Sequence, residues 1–233
     1  MDKVLVIIPC YNEEKNIARV VDGIRTLGGD LDILVVNDSS TDNSLEIIDS
    51  LGVKYLDLSC NLGIGGAVQA GFKYARENGY RYAVQLDGDG QHDPFYIRRM
   101  KEQIDSGFNF VVGSRFIANQ GFQSTQFRRL GIRYFCRLIS LLTGNKVTDA
   151  TSGYRMADRS VIELFAREYP YDYPEPETLV TLLRSRYRIK EIPVVMNRRA
   201  EGRSSISAPR SIYYVVKVTL AMLFCYYRSE RVT

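Results

Sequence analysis

The stretch Val84–Pro94 reads VQLDGDGQHDP. A short apolar run, Tyr82 to Leu86, stops abruptly at Asp87-Gly88-Asp89-Gly90-Gln91. In an extended backbone residues i and i+2 leave on the same side, so Asp87 and Asp89 present two carboxylates to one point. Carboxylate oxygens suit hard cations such as Mg2+ or Mn2+. Mg2+ takes one or two protein carboxylates and fills its other positions with water and substrate phosphates. Gly88 and Gly90 let backbone and phosphate approach closely, and Gln91 adds a neutral oxygen. The chemistry implied is a divalent cation, Mg2+ or Mn2+, held against a diphosphate by Asp87, Asp89 and Gln91. A solvated acidic turn is the plain alternative, and the buried strand in front of the pair weighs against it. His92, the single histidine, is expected to support this loop rather than to ligate.

The elements around the pair alternate. KVLVIIP, LDILVVN, VKYLDLS, YAVQLD and FNFVVGSR read as strands. Helical patterns separate them: NEEKNIARVVDGIRTL with Asn12 as N-cap, TDNSLEIIDSL, GGAVQAGFKYAREN ended by Gly79, and PFYIRRMKEQIDSG opened by Pro94. Near-continuous apolar strands alternating with helices predict an α/β fold, a mostly parallel central sheet with helices on both faces. In such sheets ligands bind beyond the carboxyl ends of the strands. Five polar segments, Pro9–Glu13, Asn37–Asp42, Asn61–Gly66, Asp87–Gln91 and Gly113–Arg115, are therefore predicted to share one edge. A dinucleotide fingerprint does not fit, because the glycines do not space as G-x-G-x-x-G after the first strand. The second half is less regular. RRLGIRYFCRLISLLTG is an amphipathic helix with Ile132, Phe135, Ile139 and Leu142 on one stripe and Arg129, Arg133 and Arg137 on another. The loop VTDATSGYR, a helix from Arg159 to Ala166, the turn-rich YPYDYPEPE, the helix TLVTLLRSRY and the strand IKEIPVVMNRR follow. One domain over residues 1–208 is expected, with a C-terminal apolar helix over 209–233.

The whole chain has 233 residues, 45% hydrophobic and 25% charged, ordinary values for a globular protein. It opens directly on a strand pattern, so no secretory leader is expected. Cys10, Cys60, Cys136 and Cys225 are far apart and never spaced CxxC, which argues against a zinc or disulfide framework and favours a reducing cytoplasm. The net charge of +4 hides a split. Residues 1–114 carry 11 Lys/Arg against 17 Asp/Glu, whereas residues 115–233 carry 20 against 10. An acidic half calls for a cation and a basic half for an anionic ligand or membrane surface; nothing calls for nucleic acid.

IIPCYNEE, VVNDSSTD, NLGIGGAVQAG, LDGDGQHDP, VGSR, TDATSGYR and RRAEGRSS stand in this chain in the order seen in family 2 glycosyltransferases. The chain resembles the dolichyl-/polyprenyl-phosphate sugar transferase branch in particular, from about Val4 to Ile206. The resemblance implies a GT-A fold and an inverting, metal-assisted transfer from a nucleotide-sugar donor. By position it assigns Asp87, Asp89 and Gln91 to the metal and diphosphate, and Pro9, Tyr11 and Glu13 to the nucleotide loop. Asp38 matches the acidic residue placed against the base; the family often has Asp-Asp where this chain has Asn37-Asp38. Asn61, Gly65 and Gly66 are expected to line the same pocket, or else to form a plain strand-to-helix turn.

Two kinds of acceptor remain. A phosphate monoester is already anionic and needs cations rather than a base. Arg115, Arg155, Arg199 and Arg203 sit in motif loops, and arginine suits bidentate phosphate contacts. With Ser152 and Ser204 they are the expected acceptor-binding residues, and Arg115, Arg155 and Arg199 join Asp89 as catalytic candidates. A sugar hydroxyl of a growing glycan would need a general base, for which Asp149 is the candidate. Glu175 and Glu177 fit a contribution to the acceptor site or a helix N-terminal charge role. A non-catalytic nucleotide-sugar-binding subunit is the reading of another class, and the intact carboxylate pair argues against it. The expected partners are a UDP- or GDP-sugar, a lipid phosphate or glycan acceptor, and a membrane surface touched by the Arg129/Arg133/Arg137 helix and the tail. Ile212 to Tyr227 is 16 residues with one charge, Lys217, short of the roughly 20 needed to span a bilayer. The tail is therefore expected to lie in an interface or to form an oligomer, with the protein on the inner face of the cell membrane. Relatives in this branch often continue into transmembrane helices, so a membrane partner protein is also considered.

Overall fold

The computed structural model describes residues 3–118, 120–121, 126–197 and 208–228. Its strands are β1 (Val4–Cys10), β2 (Leu31–Asn37), β3 (Lys54–Asp57), β4 (Tyr82–Gln85), β5 (Phe110–Ser114), β6 (Arg155–Asp158) and β7 (Ile189–Pro193). The helices are α1 (Ile17–Arg25), α2 (Ser44–Ser50), α3 (Gly63–Glu77), α4 (Tyr96–Asp105), α5 (Gln126–Thr143), α6 (Arg159–Arg167), α7 (Pro174–Arg184) and α8 (Ala208–Arg228). The strands form one sheet in the order β3-β2-β1-β4-β6-β5-β7. All pairings are parallel except those of β6, which runs antiparallel to β4 and to β5.

The strands are apolar on both sides because both faces are covered. On β1, Leu5 and Ile7 enter the core under α3, α5, α6, α7 and α8, while Val4, Val6 and Ile8 enter the core under α1, α2 and α4. Helix–sheet contact is close at Gly71 of α3, where a Cβ would collide with the Ile7 side chain. Ile132, Phe135 and Ile139 of α5 are buried as its periodicity predicts, and Leu142 is partly buried. Gly79 ends α3 at φ +72°, a conformation that only glycine adopts cheaply.

Three local expectations need correction. Asn12 does not cap α1, which begins at Ile17. It sits instead at φ +55°; its amide donates to Ser40 Oγ at 3.0 Å and its Oδ1 accepts from the Thr41 amide at 2.8 Å. Loop-to-loop hydrogen bonds outweigh the local cap. Helix α7 starts at Pro174 rather than Thr178, because prolines at a first turn lose no hydrogen bond that a helix would make. Strand β6 lies in what reads as loop running into helix. Its four residues carry no alternation, and Asp158 then caps α6 by accepting from the Val161 amide at 2.9 Å.

The start of α3 is pressed onto the segment before α7. The Gly65 amide donates to the Tyr171 carbonyl at 3.1 Å, and a Cβ on Gly65 would overlap the Pro170 and Tyr171 carbonyl oxygens. Gly65→Ala is expected to cost about 1–3 kcal/mol of overpacking strain, read as a lower urea midpoint with an unchanged slope.

Candidate active site

The carboxyl ends of the parallel strands meet at one edge, and the reversal of β6 brings its first residue, Arg155, to that same edge opposite Gln85. The ladder between β1 and β4 ends with the Leu86 amide donating to the Ile7 carbonyl at 3.0 Å. Asp87 is the next residue. Its Oδ1 accepts from Gln85 Nε2 at 3.2 Å. Asp89 Oδ1 accepts from the Gln91 amide at 3.0 Å, and Gly90 at φ +74° makes the turn between them. Gln91 Nε2 donates to the Asn197 carbonyl at 3.3 Å, and the Asn197 amide donates back to the Gln91 carbonyl at 2.9 Å. Asp87, Asp89 and Gln91 are all half-buried at the edge.

Two glycines shape the space around the pair. A Cβ on Gly88 would stand 3.1 Å from the Pro9 carbonyl, so the motif loop lies directly on the end of β1. A Cβ on Gly153 would stand 2.8 Å from Asp87 Oδ2, so the TSGYR loop leaves room for the carboxylate only because residue 153 has no side chain. Among the described residues no group of three or more His, Cys, Asp or Glu forms a protein-only metal cage. Two carboxylates, an amide oxygen and this cradle fit a cation that takes its remaining ligands from water and phosphate.

On the far side the nucleotide-loop residues interlock. Asp38 is buried; its Oδ1 accepts from the Leu62 amide at 2.7 Å, and its carbonyl accepts from Asn61 Nδ2 at 3.1 Å. Burial pushes the Asp38 carboxyl above the usual carboxylate range, opposed by the Leu62 and Gly63 amides. Asn37 is turned to β3 and donates from Nδ2 to Asp57 Oδ1 at 2.7 Å. Pro9 is buried in β1, whereas Tyr11 is exposed. The Glu13 amide donates to Ser44 Oγ at 2.9 Å, and Glu13 Oε2 accepts from Asn16 Nδ2 at 2.7 Å. The structure brings Asp38 and Asn61 together. It commits Gly65 to the 170–171 backbone, and Gly66 to close contact with Leu62.

The candidates at the other end are less accessible than their motif positions implied. Asp149 is fully buried and bidentate to Arg115, with Nε to Oδ2 and Nη2 to Oδ1 both at 2.6 Å. The Arg115 amide adds a bond to Oδ2 at 3.2 Å, and the Thr151 amide one to Oδ1 at 3.3 Å. Both oxygens are engaged, so the arrangement does not suit Asp149 as a general base. Arg155 is equally enclosed. Its Nε donates to the Ser152 carbonyl at 2.5 Å, Nη1 to Thr178 Oγ1 at 2.6 Å and Nη2 to the Glu175 carbonyl at 2.9 Å. It ties the TSGYR loop to the first turn of α7 and is not presented to an acceptor. Burial pulls its guanidinium below the usual arginine range, and pushes the Glu175 carboxyl above the usual carboxylate range against the pull of Arg155. Ser152 is turned inward, its Oγ donating to the Gly113 carbonyl at 2.6 Å. Arg199, Arg203 and Ser204 lie outside the described residues.

Sequence reasoning passed over three supports. Glu191 accepts from the Thr148 and Asp149 amides at 2.8 and 2.9 Å and holds the loop that carries Asp149. Thr178 braces Arg155. Gly153 opens the cradle for Asp87, and the glycine inside TSGYR was its only visible signal. The α5 arginines, read as a membrane-facing stripe, also line a cavity. Arg129, Arg133 and Arg137 surround about 350 Å³ together with Phe116, Val147 and Thr148.

The sequence model of glycosyl transferase family 2 matches residues 5–165. The chain belongs to that family. This glycosyltransferase is 32% identical over 227 residues to an undecaprenyl-phosphate mannosyltransferase of Micrococcus luteus, covering 93% of both chains. It is 29% identical over 215 residues to a polyprenol monophosphomannose synthase of Mycolicibacterium smegmatis, covering 88% of this chain and 81% of the relative. Glucosyl-3-phosphoglycerate synthase of Mycobacterium tuberculosis, solved with phosphoglyceric acid, shares the fold at a TM-score of 0.73 and 18% identity, over 97% of this chain and 80% of the other. The same enzyme solved with Mn2+, uridine diphosphate and phosphoglyceric acid gives a TM-score of 0.71 at 17% identity, over 97% of this chain and 78% of the other. The GT-A architecture expected for the glycosyltransferase therefore stands.

Breaking the buried pair tests what Asp149 does. Asp149→Asn leaves the Arg115 guanidinium buried against a neutral partner and is expected to cost about 3–5 kcal/mol, measured by urea denaturation. The double variant Arg115→Met/Asp149→Leu should recover most of that loss. Stability unchanged in Asp149→Asn, with activity gone, would return Asp149 to the base role.

Proposed function

We propose that this glycosyltransferase moves a sugar from a UDP- or GDP-sugar to a polyprenyl-type lipid phosphate at a membrane surface, with inversion at the anomeric carbon. The cavity on α5 carries this reading. Arg129, Arg133 and Arg137 show no carboxylate partner among the described residues, and three cations in one groove suit an anionic acceptor. Phe116 and Thr148, which also line it, are the sequence neighbours of the paired Arg115 and Asp149, so the groove adjoins the sheet edge. The names of the two bacterial relatives, both acting on polyprenyl-type phosphates, support the same acceptor class.

In the reaction an acceptor phosphate oxygen forms a bond to the anomeric carbon. The bond from that carbon to the donor diphosphate breaks, and the nucleoside diphosphate leaves with the electron pair. No proton has to be removed from the acceptor, which agrees with an Asp149 closed to solvent. Asp38 and the interlocked first and second loops hold the nucleoside end. Asp87, Asp89 and Gln91 would hold Mg2+ or Mn2+, which when bound supplies Lewis-acid stabilisation of charge on the leaving diphosphate. The α5 arginines hold the acceptor phosphate and offset its repulsion from the donor. A glycan hydroxyl needs a base, and the candidate Asp149 has both oxygens engaged, so a glycan hydroxyl is the weaker acceptor.

The outer face of α5 and α8 is apolar. Tyr213, Val216, Leu220, Phe224 and Tyr227 of α8, and Leu130, Tyr134 and Leu141 of α5, are all exposed. Tyr134 Oη and Thr219 Oγ1, 3.1 Å apart, join the two helices. No helix among the described residues is long and apolar enough to cross a membrane. An apolar face with aromatic residues beside a basic stripe suits an interfacial position, and each arginine adds about 1 kcal/mol near an anionic leaflet.

Incubation with a panel of UDP- and GDP-sugars, Mn2+ and polyprenyl phosphate should place label in the extracted lipid, and EDTA should abolish it. Arg133→Glu should lower kcat/KM for the lipid phosphate at least about tenfold, a loss of roughly 1.4 kcal/mol, without changing donor affinity. Label appearing only in an added saccharide would sink the acceptor assignment. The native protein should also float with vesicles that contain anionic lipid, less so in high salt. Leu220→Glu/Phe224→Glu should stay in the soluble fraction. A native protein that ignores vesicles and scatters light as a dimer would assign the apolar face to self-association.

A further inference from the structure

His92 takes no part in the chemistry above, yet it is buried between the two loops that matter most. Its side chain is 1% exposed. Its ring stacks on Tyr154 of the TSGYR loop, with centroids 4.9 Å apart and planes 15° from parallel. Tyr154 is itself fixed at three points. Its hydroxyl donates to the Asp93 carbonyl at 3.0 Å, its amide donates to Ser152 Oγ at 3.3 Å, and its carbonyl accepts from the Gly113 amide at 2.9 Å. The main chain at His92 is held by a bridge to Met196. The stack and the backbone bridge together hold the imidazole against the TSGYR loop.

Among the described residues its side-chain hydrogen bond reaches the metal motif. The Asp87 amide, the first beyond the β1–β4 ladder, donates to His92 Nδ1 at 3.3 Å. A nitrogen that accepts must carry the lone pair, so the network assigns the ring proton to Nε2. Nε2 is buried as well and meets no partner among the described residues. With Nδ1 used by the backbone and Nε2 enclosed, the ring is not placed to bind a cation itself. It fixes the backbone from which the first carboxylate departs, just where Gly153 leaves that carboxylate its space.

We infer that His92 is a positioning residue. As a fixed acceptor backed by Tyr154, it holds the Asp87 amide and so sets how the Asp87 carboxylate leaves the sheet edge. The inference rests on the reading of Asp87 as a ligand to the donor's cation, and the experiment separates the two. His92→Phe keeps a ring for Tyr154 and removes the acceptor. His92→Asn supplies a carbonyl oxygen near the Nδ1 position and removes the stack. Hydrogen exchange at the Asp87 amide, followed by NMR without metal, reads the hydrogen bond directly. Free Mn2+ counted by electron paramagnetic resonance, with UDP or GDP present, reads its consequence. His92→Phe should speed Asp87 exchange and weaken Mn2+ binding, each by about tenfold or more, the usual effect of losing an outer-shell partner of a ligand. His92→Asn should return both to within about threefold of the native protein, on the same basis. Native exchange and native Mn2+ affinity in His92→Phe would overturn the inference, as would a His92→Asn no better than His92→Phe. If His92→Phe does not fold, His92→Asn alone decides: a protected Asp87 amide supports the role and an unprotected one overturns it. Faster Asp87 exchange in His92→Phe, with no Mn2+ bound even by the native chain, would retain the positioning role and refute the metal reading.

Discussion

The carboxylate of Asp149 is closed off from water, and the Arg115 guanidinium is what makes that tolerable. A charge buried without a partner would cost several kcal/mol. Here two short bonds between the side chains, a third from the Arg115 amide and a fourth from Thr151 satisfy the carboxylate. Arg115 directly follows β5, and Asp149 sits in the loop that leads to β6. The pair therefore pins the two sides of the second half of the sheet edge together. The turn of Ser152 onto the Gly113 carbonyl, the seat of Tyr154 and the space beside Gly153 all follow from where that loop is pinned.

The arginines of the basic half divide by environment. Arg115 and Arg155 are enclosed, and among the described residues their side-chain hydrogen bonds go to protein oxygens. Arg129, Arg133 and Arg137 stand on one flank of α5 around an open groove. The first group supplies rigidity and the second supplies positive potential that an incoming anion can reach. The Arg115 charge is balanced by Asp149, and the Arg155 donors are turned to the Ser152 and Glu175 carbonyls and Thr178, away from any incoming anion.

Much of the first half was legible in the sequence. Apolar strands closed by short polar loops named the strand ends, and the structure gathers those ends at one edge. The D-x-D-x-Q spacing located the carboxylate pair, because a two-residue period in extended backbone is local information. What escaped was set by distant partners. Asn12 looks like a cap until Ser40 and Thr41 are seen to claim it. Strand β6 has four residues and no alternation, and only its neighbours β4 and β5 make it a strand. Arg155 and Asp149 have the residue types of a working site, but burial decides that they brace it, and burial is a property of the whole fold. The α5 stripe was visible as a stripe, while the groove beside it needed Phe116 and Thr148 to arrive from elsewhere in the chain.

The reversed direction of β6 has a consequence for how such a chain can vary. Residues 115–154 leave the sheet at the end of β5 and return at the start of β6, one strand away on the same edge. They form a closed excursion whose two feet are tied by the Arg115–Asp149 bonds. Lengthening the excursion, or changing the exposed residues of α5 while its buried stripe is kept, leaves the strand order and the loops around Asp38 and Asp87 untouched. Closing a longer loop costs little extra entropy once its ends are fixed. The outer surface of that half can in this way change while the half that carries Asp38 and Asp87 is left as it stands.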